Sequence, residues 1–166
     1  TEREYLEMIE YKTASLMAAA SAAGGHLGGL PEPAIERLHA YGHSLGMVFQ
    51  ITDDVLDYTS STATLGKPQG GDLRNGKATL PLIHLFSHHE KQARLILDGS
   101  APMEQKTGDL AALMRRMGSI EYAYMIAKRY GEIAKNSLKE IEPGLGSSDC
   151  LNSLYQLVDF VLARES

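Results

Sequence analysis

Tryptophan is absent from this sequence, and cysteine occurs only once, at Cys150. A single cysteine excludes an internal disulfide framework. Basic residues are also in short supply: lysine and arginine number 16 against 21 aspartates and glutamates, so the net charge is −5. Because affinity for a phosphate backbone needs a positive surface, we expect no nucleic-acid partner. The charge balance still leaves room for a local basic pocket that binds a small phosphorylated ligand.

Long apolar runs are missing as well. The longest uncharged stretch, residues 13–31, is roughly as long as a bilayer span, but it consists mostly of alanine, serine and glycine. So many small residues predict a helix that packs closely against its neighbours. The sequence opens without a basic segment followed by an apolar one, so it makes no prediction about targeting. We expect a soluble protein.

The periodicity of the apolar residues predicts an all-α fold. Alternation with a period of two, which would indicate strands, is not sustained anywhere, whereas helical periodicity recurs along the chain. The 166 residues, 43% of them hydrophobic, suit one domain with a sizeable core. Helices are predicted over residues 3–23, 31–57, 81–85 and beyond, 89–97, 108–117, 119–140 and 149–164, with a glycine-rich loop over residues 66–76.

The most informative segment is an aspartate cluster in the second predicted helix, formed by Asp53, Asp54 and Asp57. At about 100° per residue, Asp53 and Asp57 lie about 40° apart around the helix, and Gln50 shares their face. Like charges at this spacing repel, and residues 44–66 contain no lysine or arginine. A divalent cation would supply the missing charge, since Mg²⁺ is commonly held by one or two carboxylates and the phosphates of a substrate. The alternative is a solvated acidic face, but the surrounding residues are apolar.

The glycine-rich loop that follows carries two further candidates, Lys67 and Lys77. Glycine lets backbone N–H groups approach an anion, and lysine supplies a point charge to phosphate. The loop lacks the spacing of a P-loop and no strand precedes it. Alone it would be interpreted as an ordinary solvated loop. After an acidic helix, it predicts a clamp for a diphosphate.

Lys12, which is followed by Thr13, is a third candidate for phosphate binding. Counted around a regular helix, Lys12 shares a stripe with Met8, Ile9 and Leu16, so its ammonium would lie among apolar side chains. The alternative is a lysine whose stem covers the apolar surface and whose charge stays in water.

Other features of the sequence are interpreted as structural. His39 and His43 stand four residues apart, as do His84 and His88, which is a spacing that suits paired metal ligands. Neither pair has an evident third ligand, so ordinary histidines on a helix surface are favoured. Cys150 lacks the motif of a nucleophile.

Four segments together resemble the C-terminal half of the all-trans polyprenyl diphosphate synthases, over essentially the whole chain. They are Lys12-Thr13, Phe49-Gln50-x-x-Asp53-Asp54-x-x-Asp57, Gly66-Lys67 and Asp72-Leu73-x-x-Gly76-Lys77-x-Thr79-Leu80-Pro81. Residues 72–77 and the ending Val161-Leu162-Ala163-Arg164 are more similar to the medium- and long-chain members, such as the solanesyl and decaprenyl diphosphate synthases.

This resemblance implies a helical bundle around a central cavity. It also implies a prenyltransferase that condenses an allylic diphosphate with isopentenyl diphosphate and so elongates a trans-polyprenyl diphosphate. The implied cofactor is Mg²⁺, held on the allylic diphosphate by Asp53, Asp54 and Asp57, with Asp72 acting through water. The implied diphosphate ligands are Lys12, Lys67 and Lys77.

The resemblance further implies that Thr13 and Gln50 face the reacting carbon of the allyl group and stabilise the carbocation. The implied catalytic residues are therefore Lys12, Thr13, Gln50 and Asp53. Thr13 and Gln50 would contact the substrate as well. The released diphosphate is the expected base for the final loss of a proton.

The sequence departs from the family in having one aspartate cluster where such enzymes carry two. We therefore expect residues 1–166 to be the C-terminal part of a synthase domain, inactive alone and with exposed apolar faces. Two alternatives stay open: a non-catalytic subunit of a heteromeric synthase, and a terpene cyclase. The intact protein is expected to be a homodimer or a heteromer, and cytosol, mitochondrion and plastid all host such enzymes.

Overall fold

The computed structural model describes residues 1–59, 70–145 and 149–164. Within these ranges every regular element is a helix, which confirms the predicted fold class. None of these helices combines the length and the apolar character that crossing a bilayer requires. The elements are α1 (Glu2–Ile9), a π-helix (Glu10–Ala14), α2 (Ser15–Leu27), α3 (Glu32–Thr59), α4 (Gly71–Arg74), α5 (Leu80–Leu97), α6 (Met103–Arg116), α7 (Ser119–Leu145) and α8 (Asp149–Leu162).

The first predicted helix is not one regular α-helix, because the π-helix separates α1 from α2. The buried positions show where a residue has been inserted. Tyr5, Ile9, Ala14 and Ala18 are buried, at intervals of four, five and four residues. A regular helix would bring every third or fourth residue to one face, so the interval of five marks the extra residue.

Helix α2 also continues past the glycine pair at which the sequence predicts its end. Gly25 lies against α3, where a Cβ would come 3.0 Å from Leu38 Cδ1. The helix ends at Leu27, and the N–H of Leu30 then donates to the carbonyl of Gly25 at 3.0 Å. The chain turns back at Gly29, whose φ of +67° favours glycine.

Two compact units divide the described chain. The first unit comprises Thr1–Tyr5 and Ile51–Met125, and the second comprises Leu6–Gln50 and Ile126–Arg164. In the second unit, α3 approaches the π-helix very closely, since a Cβ on Gly46 would lie 2.5 Å from Ala14 Cα. This confirms that the small residues mark close packing. The apolar core of this unit is formed by Tyr41, Leu45, Val48, Ala134, Leu138, Ile141, Leu151, Val158 and Val161.

The first unit contains the end of α3, together with α4, α5, α6 and the start of α7. The sequence predicts two helices over residues 81–97, and α5 is divided by a kink at His89, whose φ of −136° and ψ of 36° are not helical, so the predicted division is present. Helix α6 begins at Met103 rather than at residue 108. Helix α4 is a single turn that lies within the predicted glycine-rich loop.

Candidate active site

The three aspartates of α3 lie near its end, in the first unit, and their surroundings differ. Asp53 is exposed, Asp54 is only 6% exposed and Asp57 is half-buried. The apolar neighbours Ile51 and Val55 are fully buried, so the expectation of acidic residues on a largely buried helix is confirmed.

Asp54 is held by a residue that the sequence analysis misses. The hydroxyl of Tyr5, in α1, donates to Asp54 Oδ2 at 2.8 Å. Burial, and next the negative charge of Asp54, raise the pKa of Tyr5, so the phenol remains a donor over the whole working range of pH. The available signal was the position of Tyr5 on the buried face of α1, because a buried tyrosine hydroxyl usually finds a polar partner.

Asp57 organises the chain that follows. Its Oδ1 accepts from the N–H of Gly71 at 3.1 Å and its Oδ2 accepts from the N–H of Asp72 at 2.9 Å, while its carbonyl accepts from the N–H of Gly70 at 2.8 Å. A carboxylate that accepts from the first N–H groups of a helical turn caps it, as a side chain at an N-terminus does. Asp57 therefore fixes α4 beside the end of α3.

This capped turn brings Asp72 and Lys77 together. The ammonium of Lys77 lies 2.5 Å from Asp72 Oδ1, and the backbone N–H of Lys77 donates to the Asp72 carbonyl at 2.9 Å. Hydrogen bonding to Asp72, followed by the charge of Asp72, raises the pKa of Lys77. Lys77 is therefore a cation whose position is set by the acidic cluster. Lys67, the other lysine predicted for this segment, lies outside the described residues.

Two of the predicted catalytic residues meet in the second unit. The hydroxyl of Thr13, in the π-helix, donates to Gln50 Oε1 at 2.9 Å, and Gln50 is buried in α3. The structure thus joins a hydroxyl and an amide that the sequence places 37 residues apart. Neither side chain is a strong nucleophile, so the pair is suited to electrostatic stabilisation rather than to covalent catalysis.

Lys12 adjoins this pair in the chain, but its predicted surroundings are wrong. Ile9 is fully buried, whereas Met8, Lys12 and Leu16 are all exposed. The π-helix explains the difference. Its added residue rotates the side chains that follow Ile9 around the helix axis, so Lys12 does not share the buried face of Ile9. Both the N–H and the Oγ of Ser15 bond the carbonyl of Glu10, five residues earlier. Such π-turns occur frequently at functional sites.

The acidic residues of the first unit fit a hard divalent cation. A carboxylate offers about four lone-pair positions, and the bonds to α4 use two of those on Asp57. Within the residues that the structure describes, no three His, Cys, Asp or Glu side chains are grouped so as to hold a metal by themselves.

Comparison with known proteins identifies the family. The profile described as polyprenyl synthetase matches residues 1–117, which include the aspartates of α3, Lys77 and the Thr13–Gln50 pair. The chain belongs to the polyprenyl synthetase family. The family resemblance inferred from the four sequence segments is thereby confirmed.

Three relatives illustrate the extent of the match. The chain is 38% identical to a short chain isoprenyl diphosphate synthase of Methanothermobacter thermautotrophicus, over 99% of this chain and 50% of the relative. It is 39% identical to heptaprenyl diphosphate synthase component 2 of Geobacillus stearothermophilus, over 98% and 50%. A crystal structure of a Caulobacter crescentus polyprenyl synthase, complexed with calcium and isoprenyl diphosphate, superposes with a TM-score of 0.85, 34% identity and coverage of 100% and 51%.

The chain therefore spans about half the length of the curated relatives it matches. The fold class and the family are shown for this half. The names of its relatives cover short-chain and heptaprenyl products, so the expectation of a medium- or long-chain product remains a prediction.

Proposed function

We propose that the protein containing this chain is a trans-polyprenyl diphosphate synthase, which condenses an allylic diphosphate with isopentenyl diphosphate. The observation that carries the proposal is the acidic and basic assembly of the first unit, where Asp57 caps the turn holding Asp72 and Asp72 pairs with Lys77. The names of the matched isoprenyl and heptaprenyl diphosphate synthases support this substrate class. We assign this half of the protein to the binding and departure of the allylic diphosphate.

The proposed reaction begins when the bond between the allylic carbon and the diphosphate breaks. Lys12 and Lys77 supply positive charge to the leaving anion, and Lys67 has the same proposed role. Asp53, Asp54 and Asp57 would hold Mg²⁺, with Asp72 acting through water, and this cation would neutralise the diphosphate as it departs. Charges that are in place before the step lower the barrier because they need no reorganisation during it.

The Thr13–Gln50 pair is proposed to stabilise the allylic carbocation. The hydrogen bond between them holds both oxygens in a fixed arrangement, and such fixed dipoles favour a nearby positive charge. The double bond of isopentenyl diphosphate then attacks the cation, and a new carbon–carbon bond forms. The proton lost in the last step passes to the released diphosphate.

The assembly of the intact protein is part of the same proposal. The Geobacillus relative is described as component 2 of a heptaprenyl diphosphate synthase, which supports a heteromer of two different chains. A homodimer is the other proposed arrangement, and the mass of the intact assembly together with the masses of its separated chains distinguishes the two.

The test is an assay of the complete protein with radiolabelled isopentenyl diphosphate and an allylic diphosphate primer. We expect a linear elongated diphosphate when Mg²⁺ is present and none when it is removed by a chelator. A cyclic hydrocarbon would identify a terpene cyclase instead. Activity that appears only after a separately encoded chain is added would indicate a subunit of a heteromeric synthase.

A further inference from the structure

Tyr5 has no role in the reaction proposed above, yet it contacts one aspartate of the candidate cation site. Both partners are buried, since Tyr5 is 3% exposed and Asp54 is 6% exposed. The phenol donates to Asp54 Oδ2 at 2.8 Å, across 49 residues of sequence. A bond from a hydroxyl to a carboxylate is charge-assisted and stronger than one between neutral groups.

The hydrogen bond restricts Asp54 in a way that matters for cation binding. A donor fixed on Oδ2 limits rotation about the two side-chain bonds of Asp54, and Tyr5 is itself fixed by burial. The side chain of Asp54 therefore loses its conformational entropy when the protein folds, and this loss does not weaken the later binding of the cation. Hydrogen-bond partners of ligating carboxylates typically change metal affinity or activity by about 10–100-fold when they are removed.

The first unit contains a second contact of the same chemical kind. The hydroxyl of Tyr122, in α7, lies 2.8 and 2.9 Å from the two carboxylate oxygens of Glu2. Glu2 is not one of the acidic residues assigned to the cation. Comparing substitutions at the two tyrosines therefore distinguishes two effects. One is the general cost of losing a phenol–carboxylate hydrogen bond, and the other is a specific change in cation affinity.

We propose that Tyr5 is a positioning residue for the divalent-cation site of α3, and that its hydroxyl holds the Asp54 carboxylate in the arrangement that binds the cation. This inference rests on the proposed function, because it takes the aspartates of α3 as the cation site. Tyr5 acts through Asp54 and contacts neither the cation nor the substrate.

The test measures cation binding directly in the complete protein. Mn²⁺ serves as the probe, in the presence of inorganic diphosphate, and electron paramagnetic resonance reports the bound fraction. We expect Tyr5→Phe to weaken Mn²⁺ binding by about 10–100-fold and Tyr122→Phe to change it by less than about twofold. Unchanged binding in Tyr5→Phe, or equal weakening in Tyr122→Phe, would overturn the proposal.

A double-mutant cycle tests whether Tyr5 acts through Asp54. In an Asp54→Ala background, Tyr5→Phe should cause no further loss of Mn²⁺ affinity, and an additional full-sized loss contradicts the proposal. Asp53→Ala separates the two levels of inference. If it leaves Mn²⁺ binding unchanged, the cation site itself is wrong; if it removes binding while Tyr5→Phe has no effect, only the role of Tyr5 is wrong.

A second measurement keeps the hydroxyl in place and so does not depend on how well Tyr5→Phe folds. 3-Fluorotyrosine is incorporated at position 5 alone, and its ¹⁹F resonance is followed as Mg²⁺ and diphosphate are added. We expect the resonance to shift, while the same label at position 122 stays unchanged. An unchanged resonance from the label at position 5 would overturn the proposal.

Discussion

Asp53 is the exposed member of the three aspartates on α3, so its side chain is accessible from solvent. In the complete enzyme, Asp53→Ala should reduce turnover by several orders of magnitude, because charge stabilisation of the leaving diphosphate is lost. Asp109→Ala is the control, since Asp109 is an exposed aspartate on α6, and its turnover should match the unaltered enzyme. Steady-state assays in Mg²⁺ measure both, and near-normal turnover of Asp53→Ala contradicts the cation assignment.

Gly70 and Gly76 flank α4, and substitutions at these two positions test whether contact with α6 holds the capped turn in place. Both have positive φ, +73° and +72°, but a Cβ on Gly70 would lie 1.8 Å from Thr107 Cγ2 whereas one on Gly76 meets nothing within 4 Å. Gly76→Ala should lower the free energy of unfolding by about 1–2 kcal/mol through backbone strain alone. Gly70→Ala should lower it by more, because the turn must also move away from α6. Denaturant titration measures both, and equal losses would contradict confinement by Thr107.

Some site residues could be inferred from the sequence, since their chemistry depends on residue type and local spacing. Clustered aspartates without a nearby basic residue indicate a missing cation wherever they occur, and Lys77 could be assigned to the same cluster by proximity in the chain. The Tyr5–Asp54 bond could not be inferred in this way, because it depends on a tertiary contact between α1 and α3. Only the three-dimensional structure identifies that partner.

At the scale of the elements, prediction succeeded where local signals agree. Helix α3 was predicted over residues 31–57 and spans Glu32–Thr59, because proline favours the first helical turn and a long amphipathic pattern follows. The π-helix was missed for an equally physical reason. The segment Glu10–Ala14 mixes polar and apolar residues, so the extra residue leaves no visible break in the helical pattern of the sequence. The surroundings of Lys12 were wrong for the same reason.

His84 connects α5 to α7 and gives this contact a dependence on pH. Its Nδ1 lies 3.0 Å from Ser119 Oγ, and its ring stacks on Tyr122 and on His88 with centroid separations of 4.3 and 4.4 Å. Burial, and next the charges of His88 and His89, lower the pKa of His84 from its ordinary value of 6.5. The folded state therefore favours the neutral ring, and the unfolded state binds more protons.

The sign of the effect follows by linkage. The contribution of His84 to stability is fully present above pH 6.5 and is lost as the pH falls from 6.5 through the lowered value of the folded state. We expect the melting temperature to fall over this range and to fall less steeply in His84→Gln. His39→Gln, at an exposed position on α3, should keep the slope of the unaltered protein. Identical slopes in all three proteins would show that His84 does not carry the effect.

At the scale of the whole molecule, the all-α class was predictable because it depends only on the period of the apolar residues. Which surfaces are covered is a different question, and composition does not answer it. Large apolar side chains stand exposed on several helices, and Leu27 is 91% exposed. Among the residues whose side chains the structure describes, Tyr11, Leu16, Leu95 and Phe160 also have more than half of their surface exposed. Where such side chains form a contiguous patch, they favour association or a covering partner.

The 166-residue chain, expressed alone, should therefore associate and should form no elongated product. Association follows from the exposed apolar side chains, and inactivity follows from the single aspartate cluster in a chain that spans half the length of its relatives. Intact mass and light scattering on a size-exclusion column establish what is present, and the radiolabel assay follows on the same fractions. The complete protein is the control, expected to form product in the same buffer. Linear product from the short chain alone would contradict the need for a second aspartate-rich motif, because one cluster would then suffice to hold and release the diphosphate.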